Sequence, residues 1–180
     1  MNNAVQTIKV SGGWERELVT RSGYRFHVRP AMELDVEALE GFFAHVSPAD
    51  LRFRFLTGVP QVPEDIIASM VRVDHHKTEN FMAIDPDGSL VGSAMVAADD
   101  QLDTAEVAIS IHKDYKGRGI GWMLLGHVAA YAKARGIRRL QSIESRENHA
   151  AIELEREMGF TARPVDGDPS LVLVESILNG

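Results

Sequence analysis

Ile120, Met123, Leu124, His127, Val128, Tyr131 and Ala132 recur at i, i+3, i+4, i+7, i+8, i+11 and i+12, one unbroken apolar stripe. That spacing predicts a helix from Ile120 to Ala134 that stops at Gly136, and a stripe of this width must be covered by another layer of the fold. The flanking segments supply that layer, because AEVAISI before the helix and IRRLQSIES after it read as strands.

Strand and helix signals extend the pattern in both directions. Trp14 to Val19 and Tyr24 to Arg29 are expected to form a hairpin across Ser22-Gly23, with Pro30 ending the second strand. MELDVEALEGFFAHV places Met32, Val36, Leu39, Phe43 and Val46 near helical spacing, so one helix is expected there. Ser47-Pro48-Ala49-Asp50 and Pro63-Glu64-Asp65 are start signals for two further short helices. NFMAIDPDGSLVGSAMVAADD gives two strands around a Pro86-Asp87-Gly88 turn, NHAAIELEREMGF a last helix closed by Gly159, and SLVLVESIL a final strand. The order ββ, helices, βββ, helix, β, helix, β predicts an α/β (α+β) fold, a mixed central sheet flanked by helices.

With 180 residues the chain is expected to be one domain spanning 14–180, after a flexible segment 1–13, and to bury about two-thirds of its unfolded surface. Cysteine is absent, which excludes disulfides, a thiolate nucleophile and cysteine-ligated zinc. A net charge of −7 argues against the basic footprint that nucleic acids require. The opening MNNAVQTIKVSGGW lacks the pattern of a signal peptide, and no apolar run reaches membrane length. A cytoplasmic protein with neither membrane nor nucleic-acid partners is therefore expected.

The stretch HKDYKGRGIGWMLL concentrates Lys116, Gly117, Arg118, Gly119, Ile120 and Gly121 at the start of the long helix. Unpaired N–H groups there attract anions, glycines let a ligand approach the backbone, and the two cations add charge. The composition fits a phosphate cradle or, more simply, a tight strand-to-helix turn. It is not a Walker A loop, which needs lysine followed by serine or threonine, and a dinucleotide fingerprint begun at Gly117 fails at Trp122.

KGRGIG, between an apolar strand and a helix, resembles the [QR]xxGx[GA] signature of the GNAT superfamily of N-acetyltransferases. Asn148, Ala151, Leu154 and Gly159-Phe160 stand at the spacing of that superfamily's NxxAxxLxxxxGF segment. LRFRF and VRVDHHKTENFMAID are similar to a region of bacterial protein lysine acetyltransferases of the Pat type, and the resemblance covers roughly Tyr24 to Leu178. In Pat proteins this domain is commonly fused to a regulatory or synthetase-like domain, for which the 180 residues leave no length.

The resemblance implies a GNAT fold and acetyl-CoA as co-substrate, with no metal. It implies that backbone N–H groups from Lys116 to Gly121 hold the pyrophosphate. Ile109, Ser110 and Ile111 would pair with the pantetheine arm and polarise the thioester carbonyl. The acceptor would be an amine, foremost a protein lysine, with Glu106 as general base; a small amine or a non-catalytic acyl-CoA sensor are the alternatives. Glu106 also reads as an edge-strand residue in water. Asn148 either contacts the pantetheine arm or a water, or caps the last helix. The position where many relatives carry an acidic tyrosine is Glu155, so no acid is assigned.

Other polar candidates are weaker. His75-His76 lacks a third metal ligand at helical spacing, and His127 lies on the apolar stripe as a core histidine. His112 sits beside the cradle, and Ser110 is a nucleophile only if a base is paired with it.

Overall fold

A computed structural model describes residues 13–178; most of the N-terminal segment expected to be flexible, 1–12, lies outside the described residues. The elements run β1 (Arg16–Val19), β2 (Arg25–Pro30), α1 (Val36–Phe43), α2 (Pro48–Phe55), α3 (Glu64–Val71), β3 (Thr78–Ile84), β4 (Leu90–Ala98), β5 (Thr104–Ile111), α4 (Ile120–Ala134), β6 (Arg139–Ser145), α5 (His149–Glu157), β7 (Thr161–Val165) and β8 (Asp168–Ile177). The strands form one sheet in the order β1-β2-β3-β4-β5-β6-β8-β7. Every neighbouring pair is antiparallel except β5 and β6.

Two apolar cores cover the two faces of the sheet. The stripe of α4 packs Leu124, Val128 and Ala132 with Val91, Ala94, Ala105 and Val107 of the sheet, and Ile152 of α5 joins the same face. On the opposite face Leu39, Phe42 and Phe43 of α1, Leu51 of α2, and Ile67 and Met70 of α3 pack on Met82 and Leu90. Gly92 lets α4 approach the sheet closely: a Cβ there would stand 3.1 Å from Leu124 Cδ1 and 3.3 Å from Ala83 Cβ.

Three local departures from the sequence reading have identifiable causes. The helix expected from Met32 is broken, with a 3-10 turn over Glu33–Asp35 before α1. Asp35 folds back there to accept the Met32 N–H at 2.7 Å and both guanidinium nitrogens of Arg29 at 2.8 and 2.7 Å. Strand β2 includes Pro30, paired with Phe81, one residue beyond its expected end. Strand β7 is a further departure: Pro164 masks it in the sequence, yet β7 is the outer strand beside β8, with a register shift immediately after Pro164.

The feature that makes a site is a failure of pairing. β5 is paired with β4 along its length, from Ala98↔Ala105 to Gly92↔Ile111. With β6 it pairs only through Thr104↔Arg139, Ala105↔Leu140 and Glu106↔Gln141. β6 stays with β8 as far as Ser145↔Leu171. Beyond Glu106 the two parallel strands therefore part, and the sheet opens into a V.

Candidate active site

The opened V is a cleft of about 340 Å³, walled by β5 from Glu106 to Ile111, by Ile143 and Glu144 of β6, by the turn before α4, and by Asn148, Ala151, Leu154 and Glu155 near and on α5. Phe53 and Arg54 of α2 lie over its inner end.

Strand β5 offers this cleft an edge of unpaired backbone. The N–H of Arg139 on β6 donates to Asp103 O at 3.0 Å, while Asp99 N–H, on the β4 side, donates to Thr104 O at 2.8 Å. Peptide groups alternate sides along a strand, so odd-numbered residues address β6 and even-numbered ones address β4. His112 N–H obeys this alternation, bonding Val91 O on the β4 side at 2.9 Å. Past the last rung at Glu106, whose parallel ladder takes the Val107 N–H to Gln141 O, the C=O of Val107 and the N–H and C=O groups of Ile109 and Ile111 therefore face the cleft. Of the three residues expected to bind the donor arm, Ile109 and Ile111 present their backbone and Ser110 does not. Ser110 Oγ is buried without a hydrogen-bond partner among the described residues, so none of them is paired with it as a base.

At the mouth, Gly117 and Gly119 adopt φ of +76° and +88°, a region that a side chain makes costly. A Cβ at Gly119 would stand 3.3 Å from Thr20 Cβ. The first helical bond recorded at this end is Met123 N–H to Gly119 O at 3.2 Å, so the N–H groups of Ile120, Gly121 and Trp122 precede the helical ladder. The neighbouring cations are engaged by protein. Lys116 Nζ pairs with Asp50 Oδ2 at 2.6 Å. The Arg118 guanidinium lies 4.5 Å from the Tyr115 ring centroid and 5.4 Å from that of Tyr24, and it lines the adjoining groove, not the main cleft. The cradle is thus chiefly backbone.

At the vertex the chemistry is carboxylic. Glu106 is exposed on the last paired rung. Burial pulls the Arg54 guanidinium below its ordinary pKa, and the negative charges of Glu106 and Glu144 pull it back up. Asn148 occupies the N-cap position of α5 but makes no side-chain cap; its Nδ2 donates instead to Glu144 Oε2 at 3.1 Å. Ser142 Oγ donates to Glu155 Oε1 at 2.6 Å, and Glu155 Oε2 is buried with no donor among the described residues. Burial, reinforced by Glu144, pushes the Glu155 carboxyl up to about 8, and burial also raises Glu144.

The structure therefore brings together Glu106, Ile109, Ser110, Ile111, Lys116, Gly117, Gly119, Ile120, Gly121 and Asn148 around one cleft, and leaves Arg118 to the adjoining groove. Sequence reasoning passed over Arg54 and Glu144 as site residues, and met Glu155 only as a missing tyrosine. Their available signals were weak: a cation in a short helix, and an acid in the strand following the long helix. The histidines fall elsewhere. His127 is buried edge-on to Phe81 at 4.6 Å, His75 bonds Glu79, His76 receives Arg135, and His112 stacks on His45 with a 5.0 Å centroid separation.

A slot with an unpaired strand edge, a helix start and carboxyls at its closed end fits an extended ligand with an anionic tail. The chain belongs to the acetyltransferase (GNAT) family, whose model matches residues 49–160. It is 30% identical over 149 residues to an acetyltransferase of Pseudomonas aeruginosa, covering 81% of this chain and 80% of that one. It is 29% identical over 164 residues to the streptothricin acetyltransferase of Streptomyces lavendulae, covering 79% and 85%. Among solved structures it is similar to the GNAT domain of S. lividans PAT, at a TM-score of 0.87 and 26% identity, covering 94% of this chain and all of that domain.

Proposed function

We propose that the protein transfers an acetyl group from acetyl-CoA to the amine of a protein lysine side chain by direct attack on the thioester. The observation that carries this reading is the parting of β5 from β6 immediately after Glu106, which puts a free strand edge, an anion cradle and a carboxylate along one cleft. The residues fit the donor. The N–H groups of Gly117 to Gly121 seat the pyrophosphate, and the backbone of Ile109 and Ile111 pairs with the pantetheine amides as an added strand would. The N–H of Ile109 then lies along the edge where the thioester carbonyl gains negative charge.

A lysine ammonium, with a pKa of about 10.4, must lose a proton before it can attack. Glu106, open to solvent at the vertex, takes that proton directly or through water. The acidic inner end of the cleft also attracts the ammonium before it is deprotonated. Likeness to the PAT domain along its whole length supports a protein acceptor; likeness to streptothricin acetyltransferase keeps a small amine as the competing acceptor.

Two measurements test this. Acetyl-CoA at a hundred times its Kd should stabilise the fold by about 2.7 kcal/mol, and no thermal shift would end the reading. Free-thiol release is then followed with a panel of proteins and small amines. Turnover on proteins is expected, and turnover confined to small amines would replace the lysine assignment.

A further inference from the structure

The pleat of β5 divides the cleft into two sides. Side chains alternate faces along a strand, so Ala105 and Val107, packed in the core with α4, put Glu106, Ala108 and Ser110 on the opposite face. Ser93, directly across the β4–β5 ladder from Ser110, shows which face that is. Its hydroxyl donates to Asn80 Oδ1 at 2.8 Å, and the Asn80 amide donates to Met70 O of α3 at 3.0 Å. The cradle stands at the start of α4, on the other side. A donor seated there leaves the face of α1, α2 and α3 to the incoming amine, and Glu106 projects to that face.

Arg54, in the last turn of α2, lies over the same end of the cleft. Among the described residues no hydrogen bond engages its guanidinium, and the negative charges acting on it are those of Glu106 and Glu144. The ring of Phe55, with its centroid 5.0 Å from Cζ, supports one side of it. Arg29 shows the contrast, since its two terminal nitrogens are closed on Asp35 at 2.8 and 2.7 Å. The helix does not require Arg54 for its dipole, because Arg52 in the same turn is exposed and supplies a cation there. A planar fork of N–H donors, half-dehydrated in a cleft wall and unspent, fits a carboxylate taken through two parallel bonds.

We infer that Arg54 is a specificity-determining residue that holds a carboxylate of the acceptor beside the amine, so that the acceptor is an amine with an acidic neighbour. This rests on the acetyl-transfer reading above. On a protein the neighbour is an aspartate or glutamate side chain next to the lysine; on a small acceptor it is the molecule's own carboxylate. In both, two opposite charges of the acceptor meet two opposite charges of the site, Glu106 for the ammonium and Arg54 for the carboxylate. A lysine among basic residues, or a plain diamine, sets positive charge against Arg54 and is disfavoured.

The test follows thiol release by the whole chain with two matched pairs of acceptors, which separate the two sources. One pair is a peptide with a single lysine flanked by glutamates or by glutamines. The other is Nα-acetyl-lysine and its carboxamide. Wild type should favour the acidic member of whichever pair it turns over by at least about tenfold in kcat/KM, chiefly through KM. Arg54→Gln should bring that ratio near one, Arg54→Glu should invert it, and Arg54→Lys, a charge without the fork, should keep part of it. The acetyl-CoA Kd should stay within about twofold of wild type in all three, which also reports that they fold. Equal use of both members by wild type, a ratio retained in Arg54→Gln, or turnover of other amines with neither acidic probe accepted would overturn the inference. If Arg54 merely steadied α2 or Glu106, kcat would fall for both members alike and the ratio would survive. The wild-type ratio needs no variant, so it decides even where a substitution prevents folding. Absence of thiol release with every acceptor would end the acetyl-transfer reading itself, a result distinct from turnover without preference.

Discussion

Glu106 faces Gln141 across the last rung that joins β5 to β6, so its carboxyl stands where the sheet opens. On the proposed reading a residue in that place meets the reacting amine, and it supports little of the fold, because it is exposed and its rung is held by backbone. Glu106→Gln should therefore lower kcat by about 10²-fold at neutral pH. The thermal shift produced by acetyl-CoA should remain at the wild-type value. Steady-state kinetics beside a melting titration check both, and full turnover would remove Glu106 from the mechanism.

The cradle gives a separate prediction, on binding. Gly119 has φ +88° and a Cβ there would press on Thr20 at 3.3 Å. Gly119→Val forces a β-branched residue into a left-handed conformation at a cost of at least about 1–2 kcal/mol, so the turn moves and its N–H groups lose their aim. The expected outcome is a melting temperature a few degrees lower and no acetyl-CoA shift. A variant that melts lower yet still binds with wild-type affinity would show that these N–H groups do not seat the donor.

Lys116 is tied to Asp50, the residue whose N–H is capped by Ser47 at the start of α2. The side chains are 49% and 22% exposed, so the pair contributes at most about 1 kcal/mol to stability. Its larger effect is on the ligand, since Asp50 both neutralises Lys116 and places a negative charge near the cradle. Asp50→Asn keeps the backbone cap and releases the cation. It should tighten acetyl-CoA binding severalfold at low salt, with the gain fading as salt screens it. Calorimetric titration at two ionic strengths measures this, and weaker binding in Asp50→Asn would contradict it.

What could be read in the sequence was whatever a single segment encodes. The stripe through α4 and the Pro86-Asp87-Gly88 hairpin followed directly from periodicity and turn chemistry, and the glycines at 117 and 119 marked the cradle. The broken start of α1 could not be read, because it depends on Arg29 reaching Asp35 from β2. Strand β7 was hidden by Pro164, which sits on the outer strand of the sheet beside a shift of register. The carboxyl pair was out of reach for a deeper reason. Glu144 and Glu155 lie on different elements, and only the packing of α5 beside β6 and the splay of β5 reveal that both face one cleft. Asn148 shows the same limit: its motif position was legible, but its bond to Glu144 was not.

Two buried titrating groups give stability a pH dependence whose signs oppose. His127, edge-on to Trp14 and Phe81, is held near 4 by burial and then by the positive charge of Arg16, against an ordinary value of about 6.5. Between those values the unfolded chain takes a proton that the native one refuses, so stability falls as pH drops from 6.5 toward 4. Glu155 acts the other way. Its folded carboxyl ionises near 8 and its unfolded one near 4.3, so the native state holds the extra proton and stability falls as pH rises between them. Because His127 Nε2 has no partner among the described residues, His127→Phe forfeits no bond shown at that atom. It should flatten the loss of melting temperature below pH 6.5. Glu155→Gln should melt above wild type at pH 8, and that advantage should vanish near pH 4. Melting curves across pH 4 to 8 read both slopes at once. A His127→Phe slope equal to wild type would mean that this imidazole is protonated in the folded protein, and an equal Glu155→Gln slope would mean that Glu155 is ionised there.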